Sequence, residues 1–168
     1  MQGLNTHRMR IDLTNQQPHL LNLEKVQNLT RWLMQNVQQL DPAITWNELS
    51  LVLLDDEGIT PLNKTYFGKE QPTDVISFAY DEQPGHTGCT GEVMVNVDRA
   101  VQEGPGRKGS SYELGLYIAH GCHHLMGASD ETPELKDAML AVETEWLEAA
   151  NNANLLDNLF TEGTEPAP

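Results

Sequence analysis

The chain has 168 residues, 39% of them apolar, and a formal net charge of −15 at neutral pH. That length suits one domain with a continuous core, and no apolar run approaches the roughly 18 residues needed to span a bilayer. The acidic balance weighs against generic nucleic-acid binding, DNA included, because phosphate contacts need a basic surface.

The charge is uneven, however. Nine acids and a single base, Lys136, fall between Glu131 and Pro168, whereas Lys64, Lys69, Arg99, Arg107 and Lys108 lie between positions 64 and 108. A local basic patch on an acidic body is compatible with that spread. Two cysteines, Cys89 and Cys122, are too few for a disulfide framework and fit a reducing cytoplasm, with one bridge between them left open. The N-terminal "MQGLNTHRMRIDLTNQ" lacks the basic-then-apolar order of a secretory signal.

In chain order, "RMRIDLT" alternates apolar and polar residues and predicts a first strand. Leu20 to Leu40 predicts a helix, with Val26, Leu29, Leu33, Val37 and Leu40 at three- and four-residue spacing and Pro42 beyond its end. "NELSLVLLD" predicts a second strand closed by a turn at "DDEG", followed by a short helix around Ile59–Phe67. "GKEQPTD" is a loop, "VISFAY" a third strand, and "DEQPGHTGCTG" a turn-rich connection. "GEVMVNV" predicts a fourth strand, leading to a short helix near Asp98–Gln102 and a glycine-rich break, "EGPGRKGS".

Tyr112 to Met126 predicts a helix ended by Gly127. Thr132 and Pro133 form a helix start, with Leu135, Met139, Val142, Trp146 and Leu147 as the buried face of the last helix. Beyond it Leu155, Leu156, Leu159 and Phe160 are expected to dock on the body or on a partner, and the last eight or so residues to fray. The sum is an α+β single domain: a mixed, roughly four-stranded sheet packed by four or five helices, with a metal site on a central helix.

That site lies in "HGCHHLMGASDE", His120 to Glu131. His120 and His124 stand four residues apart, so on a helix they share one face and can hold one metal ion. Gly127 can reverse the chain in the left-handed conformation, and Asp130 would then swing back as a third ligand. Three protein ligands with an open fourth position is the arrangement of a catalytic zinc site. His123 lies about 100° round the helix from His124 and is expected to be a neighbour. Cys122 is expected to be a small buried residue, and Glu131 is the alternative carboxylate should Asp130 point away. Zinc proteases with H-E-x-x-H carry a glutamate base after the first histidine. Here that residue is Gly121, which argues against proteolysis.

The motif resembles H-G-x-L-H-L-x-G-Y-D-H of the YbeY family of rRNA maturation factors, matching at His120, Gly121, His124, Leu125 and Gly127. "LNKTYFGKEQPTDVISF" and "GEVMVNVDRAVQ" resemble two further blocks of that family, in the same order. The resemblance implies an α+β metal-dependent hydrolase domain over about residues 1–150 and an acidic, partly disordered tail over 151–168. It implies one zinc ion, with other divalent metals left open by a set of two histidines and an aspartate, and a single-strand endoribonuclease acting at the 3′ end of small-subunit 16S rRNA and in ribosome quality control. His120, His124 and Asp130 would hold the metal, with His120 and His124 acting catalytically through its water. Its partners would be single-stranded rRNA and the small ribosomal subunit, with ribosomal or assembly-factor proteins as further candidates, in the cytoplasm, with no DNA or membrane partner.

Three departures stand out. Asp130 replaces the family's third histidine, so two neutral imidazoles and a carboxylate leave a divalent ion one positive charge rather than two, a weaker Lewis acid. His123 stands where the family has leucine. Phe67 replaces an arginine to which the family assigns an RNA phosphate, and Phe cannot donate forked hydrogen bonds. Lys64 and Lys69 flank it as candidate phosphate contacts. The alternative function is a non-catalytic ribosome-assembly factor with a structural metal.

Overall fold

The fold was obtained as a computed structural model, which describes residues 9–82, 84–85 and 88–161. The expected frayed end beyond Thr161 and the start of "RMRIDLT" at Arg8 lie outside these residues. Four strands, β1 (Arg10–Gln16), β2 (Trp46–Leu54), β3 (Val75–Tyr80) and β4 (Cys89–Asn96), form one sheet in the order β1-β2-β4-β3. β1, β2 and β4 run parallel, and β3 is antiparallel to β4 at the edge. The helices are α1 (Leu23–Leu40), α2 (Asp56–Phe67), α3 (Val97–Glu103), α4 (Ser110–His124) and α5 (Pro133–Asn152), with a short 3₁₀ turn at Gly104–Gly106. The α+β domain with a mixed four-stranded sheet is as the sequence predicted.

The alternation of β2, β3 and β4 sends their side chains into two clusters. Leu49, Leu51 and Leu53 of β2 and Val93 and Val95 of β4 join the main core with α1, α4 and α5. Leu54 and Met94, on the opposite face, meet Ile76 of β3 and Ile59 of α2 in a smaller one. Each buried leucine contributes roughly 1.5–3 kcal/mol relative to exposure. Helix α4 is enclosed by β3 and β4 below and by α1 and α5 beside it, so Leu114, Tyr117, Ile118, Ala119 and Cys122 are all buried. Both cysteines are free, which closes the question of a bridge.

Several boundaries differ from expectation for local reasons. "DDEG" is not a turn but the start of α2: the Asp55 side chain accepts a hydrogen bond from the Gly58 N–H at 2.8 Å, and Asp56 and Glu57 favour the helix N-terminus. α1 begins at Leu23, because Asn22 caps it and Leu21 bridges to Phe160. Cys89 and Thr90, assigned to a connection, extend β4, and Val97 starts α3. α4 runs from Ser110 to His124, so Met126 falls in the turn before Gly127. Thr132 caps α5 as expected, accepting from the Leu135 N–H. Leu135 itself is exposed and Val142 only partly buried; Glu143 is buried instead. Leu156, Leu159 and Phe160 pack into the main core.

Candidate metal centre

Gly121 decides how α4 meets the sheet. A Cβ there would lie 2.6 Å from Val93 Cγ1 and 2.8 Å from Val75 Cγ2. Without one the helix backbone approaches the strands closely enough for the Ser77 hydroxyl to donate to the Gly121 carbonyl at 2.8 Å. The glycine read in the sequence as a missing base is therefore a packing requirement. It sets His120 and His124 beside the first residues of β3.

Three ligand atoms, one each from His120, His124 and Asp130, lie within 4.8 Å of one another. Gly127 adopts φ +85 and makes the predicted reversal, its N–H donating to the His124 carbonyl. Asp130 Oδ2 stands 3.4 Å from His120 Nε2 and 3.5 Å from His124 Nε2. Glu131 is exposed and does not join the group.

The hydrogen bonds on the far side of each ring fix the tautomers. His124 Nδ1 lies 2.9 Å from the Ala128 carbonyl, which can only accept, so that nitrogen carries a proton. His120 Nδ1 donates to Glu143 Oε1 at 2.9 Å. Both Nε2 lone pairs then face inward, 2.9 Å apart, against a carboxylate oxygen. Three acceptors converging with no donor between them call for a cation. Separations of roughly 3.3 Å are the edges of a tetrahedron with ligands about 2 Å from a zinc ion, so the donor set fits with a slight opening of the His pair.

Glu143 is the residue that sequence reasoning missed. Fully buried, it accepts from His120 Nδ1 through Oε1 and from His123 Nδ1 through Oε2 at 2.7 Å. Burial alone would raise its pKa, but the hydrogen bonds and charge of the two imidazoles outweigh it and hold Glu143 below the ordinary carboxylate value. For His120 burial works downward, and the bond to Glu143 with the charges of Glu143, Asp74 and Asp130 outweighs it and lifts the pKa. His123 is no ligand, yet it is buried, shares Glu143, and packs its ring 5.1 Å from that of Trp146. Cys122 is inert by burial, its thiol pushed up to about 12. An acid between Met139 and Trp146 on an apolar helix face was the available signal.

The site opens into a groove of about 970 Å³, lined among others by Phe67, Lys69, Asp74, Arg99, His120 and Asp130. Lys64 is not among its walls; its Nζ lies 3.5 Å from Glu70 Oε2 on the exposed side of α2. Lys69 and Phe67 do face the groove, and Phe67 is 56% exposed. Arg99, counted in the sequence only as part of a basic region, joins them.

The family model described as Endoribonuclease YbeY matches residues 11–151. An Endoribonuclease YbeY of Anaeromyxobacter dehalogenans is 39% identical over 100 residues, 58% of this chain and 51% of that protein. One of Bacillus cytotoxicus is 31% identical over 137 residues, 75% of this chain and 87% of that protein. The chain thus spans about half the length of the Anaeromyxobacter relatives and most of the Bacillus ones. The solution structure of a Thermotoga maritima protein superposes with a TM-score of 0.56, covering 91% of this chain and 98% of that one at 19% identity, a likeness of fold. With the family model matching most of its length, the chain belongs to the YbeY endoribonuclease family.

Proposed function

We propose that this protein is a metal-dependent, single-strand-specific endoribonuclease of rRNA maturation, acting at the 3′ end of small-subunit 16S rRNA and in ribosome quality control. The observation that carries the reading is the convergence of two Nε2 lone pairs and one carboxylate oxygen at an open groove, in a chain of this family. His120, His124 and Asp130 hold the ion, and zinc suits two imidazoles and a carboxylate with an open position. When bound, the ion supplies Lewis acidity and lowers the pKa of water toward neutrality.

The chain's own residues do the rest. Glu143 and the Ala128 carbonyl keep each imidazole in the tautomer that aims Nε2 inward. The groove is open enough for a flexible single strand, and Lys69 offers a point charge for its phosphates. Cleavage of single-stranded 16S rRNA fragments by the zinc-loaded protein, lost together with bound zinc in His124→Ala, is the expected result. Cleavage that persists in His124→Ala, with the metal gone, would refute the role of this site.

A second reading is favoured by Phe67. An exposed aromatic where the family's block has arginine suits a non-catalytic ribosome-assembly factor with a structural metal. Binding to the small subunit without cleavage of any rRNA fragment, at full zinc occupancy, would select it.

A further inference from the structure

The four arginines among the described residues fall into two groups. Arg10 pairs with Asp12, Arg31 donates to the Met9 carbonyl, and Arg107 pairs with Glu103 and the buried Glu113. Arg99 differs. It is half-buried, yet its guanidinium makes no hydrogen bond or ion pair with any described residue. Its backbone N–H donates to the Asn96 side chain that caps α3. A guanidinium partly removed from water without a counter-charge is unfavourable, and it is kept where an anion completes it.

The anchoring of Arg99 is stiff. Asn96 is fully buried at the end of β4, and its amide donates to Asp56 Oδ1 at 2.6 Å. Ala100, the next residue, is buried in the main core. The backbone therefore presents Arg99 to the groove from a fixed point, on the same cavity as His120, His124 and Asp130. Within that cavity the charges of Asp74 and Asp130 balance those of Lys69 and Arg99. A divalent ion on the histidines turns a neutral groove into one with two positive charges, so anion binding there is coupled to metal loading.

We propose that Arg99 is a phosphate-binding residue of this groove, its planar fork taking the non-bridging oxygens of a backbone phosphate next to the metal. The identification of that phosphate as one of single-stranded RNA rests on the function proposed above; the phosphate subsite itself rests on Arg99. Phe67, on the same rim, offers no hydrogen bond, which leaves Arg99 and Lys69 as the cations lining the groove.

The test uses the zinc-loaded full chain and two probes, a fluorescent 2′-O-methyl single-stranded oligonucleotide and inorganic phosphate. Arg99→Gln is expected to weaken oligonucleotide binding by about tenfold or more. It is also expected to lower the slope of log affinity against log salt by about 0.7. Arg99→Lys retains the slope and part of the affinity, and Lys64→Gln changes neither. Melting temperature and zinc content stay at the wild-type level in Arg99→Gln, because no guanidinium hydrogen bond or ion pair with a described residue is lost, which separates a binding role from a structural one. Phosphate bound through Arg99 without any oligonucleotide binding would keep the subsite and overturn the RNA reading. Oligonucleotide bound equally by wild type and Arg99→Gln would overturn the subsite and keep the RNA reading. Binding of neither probe would overturn both.

Discussion

Glu143 on α5 accepts a hydrogen bond from His120 on α4 across 2.9 Å, on the side of the imidazole away from His124 and Asp130. The bond fixes which nitrogen of His120 carries the proton and so which one is free to bind an ion. The other carboxylate oxygen is occupied by His123, so the carboxylate cannot rotate away. Glu143→Gln keeps the shape but presents an amide N–H₂ to one of two donating rings. It is expected to weaken zinc binding about 10–100-fold, read by competition with a chromophoric chelator. Unchanged zinc affinity would show that the tautomer is set elsewhere.

The same pair predicts a pH dependence. His120 is lifted above its ordinary value, so in metal-free protein its stabilising charge is fully present below about pH 6.5 and lost as pH rises through its raised folded-state value. Glu143 is lowered, so its contribution is fully present above about pH 4.3 and lost as pH falls through its lowered folded-state value. The pair contributes most to metal-free stability between those limits. Zinc requires the proton to leave the inward face of His120, so the zinc-induced gain in Tm grows from pH 6 to pH 8. At zinc a hundredfold above Kd that gain corresponds to about 2.7 kcal/mol. Thermal melts with and without zinc across this range check both limbs; a gain independent of pH would contradict the assignment.

Gly121→Ala tests how tightly α4 lies on the sheet. The added Cβ would sit 2.6 Å from Val93 Cγ1 and 2.8 Å from Val75 Cγ2, side chains that are themselves held in β-strands. Overpacking of this kind costs about 1–3 kcal/mol, despite the gain in helix propensity. Urea unfolding is expected to show a lower midpoint with an unchanged slope. His120, one residue away, moves with the helix, so zinc affinity falls as well.

Phe67→Arg restores a forked donor to the groove rim. Phe67 is 56% exposed, so the substitution leaves the unfolding free energy unchanged within about 0.5 kcal/mol. Oligonucleotide affinity is expected to rise about tenfold. No gain would mean that the rim at position 67 lies off the path of the strand.

The cysteines give a simple check on burial. Cys122 is fully buried with its thiol pushed up to about 12, burial acting first and the charge of Glu143 second. Cys89 is only partly buried at the start of β4. A thiol-specific chromophore at pH 8 is expected to label one cysteine in the folded protein and two in denaturant. Rapid labelling of both in the folded state would place Cys122 nearer to solvent.

What the sequence determined by itself was whatever a short stretch of backbone decides. The four-residue spacing of His120 and His124, the left-handed glycine at Gly127, and the Thr132–Pro133 cap are local geometry, and each appears in the structure as read. The strands β2 and β4 are legible in "NELSLVLLD" and "GEVMVNV" for the same reason. Errors arose where local signals compete. "DDEG" has turn chemistry, yet an acid followed by more acids also caps a helix, and the apolar contacts of Ile59 in the smaller cluster favour the helix.

What only the tertiary structure decided was the meeting of residues distant in sequence. Glu143 lies 23 residues beyond His120, and nothing in its spacing marks it as the histidine's partner until α5 packs beside α4. Lys64 and Lys69 looked equivalent beside Phe67, and the turn of α2 sends one to Glu70 and the other to the groove. Arg99 lines the same groove as the histidines because α3 leaves β4 next to the start of β3, an adjacency set by sheet order. Helix periodicity is written in consecutive residues. The partners that give a buried charge or an open groove its chemistry are brought together only by the packing of whole elements.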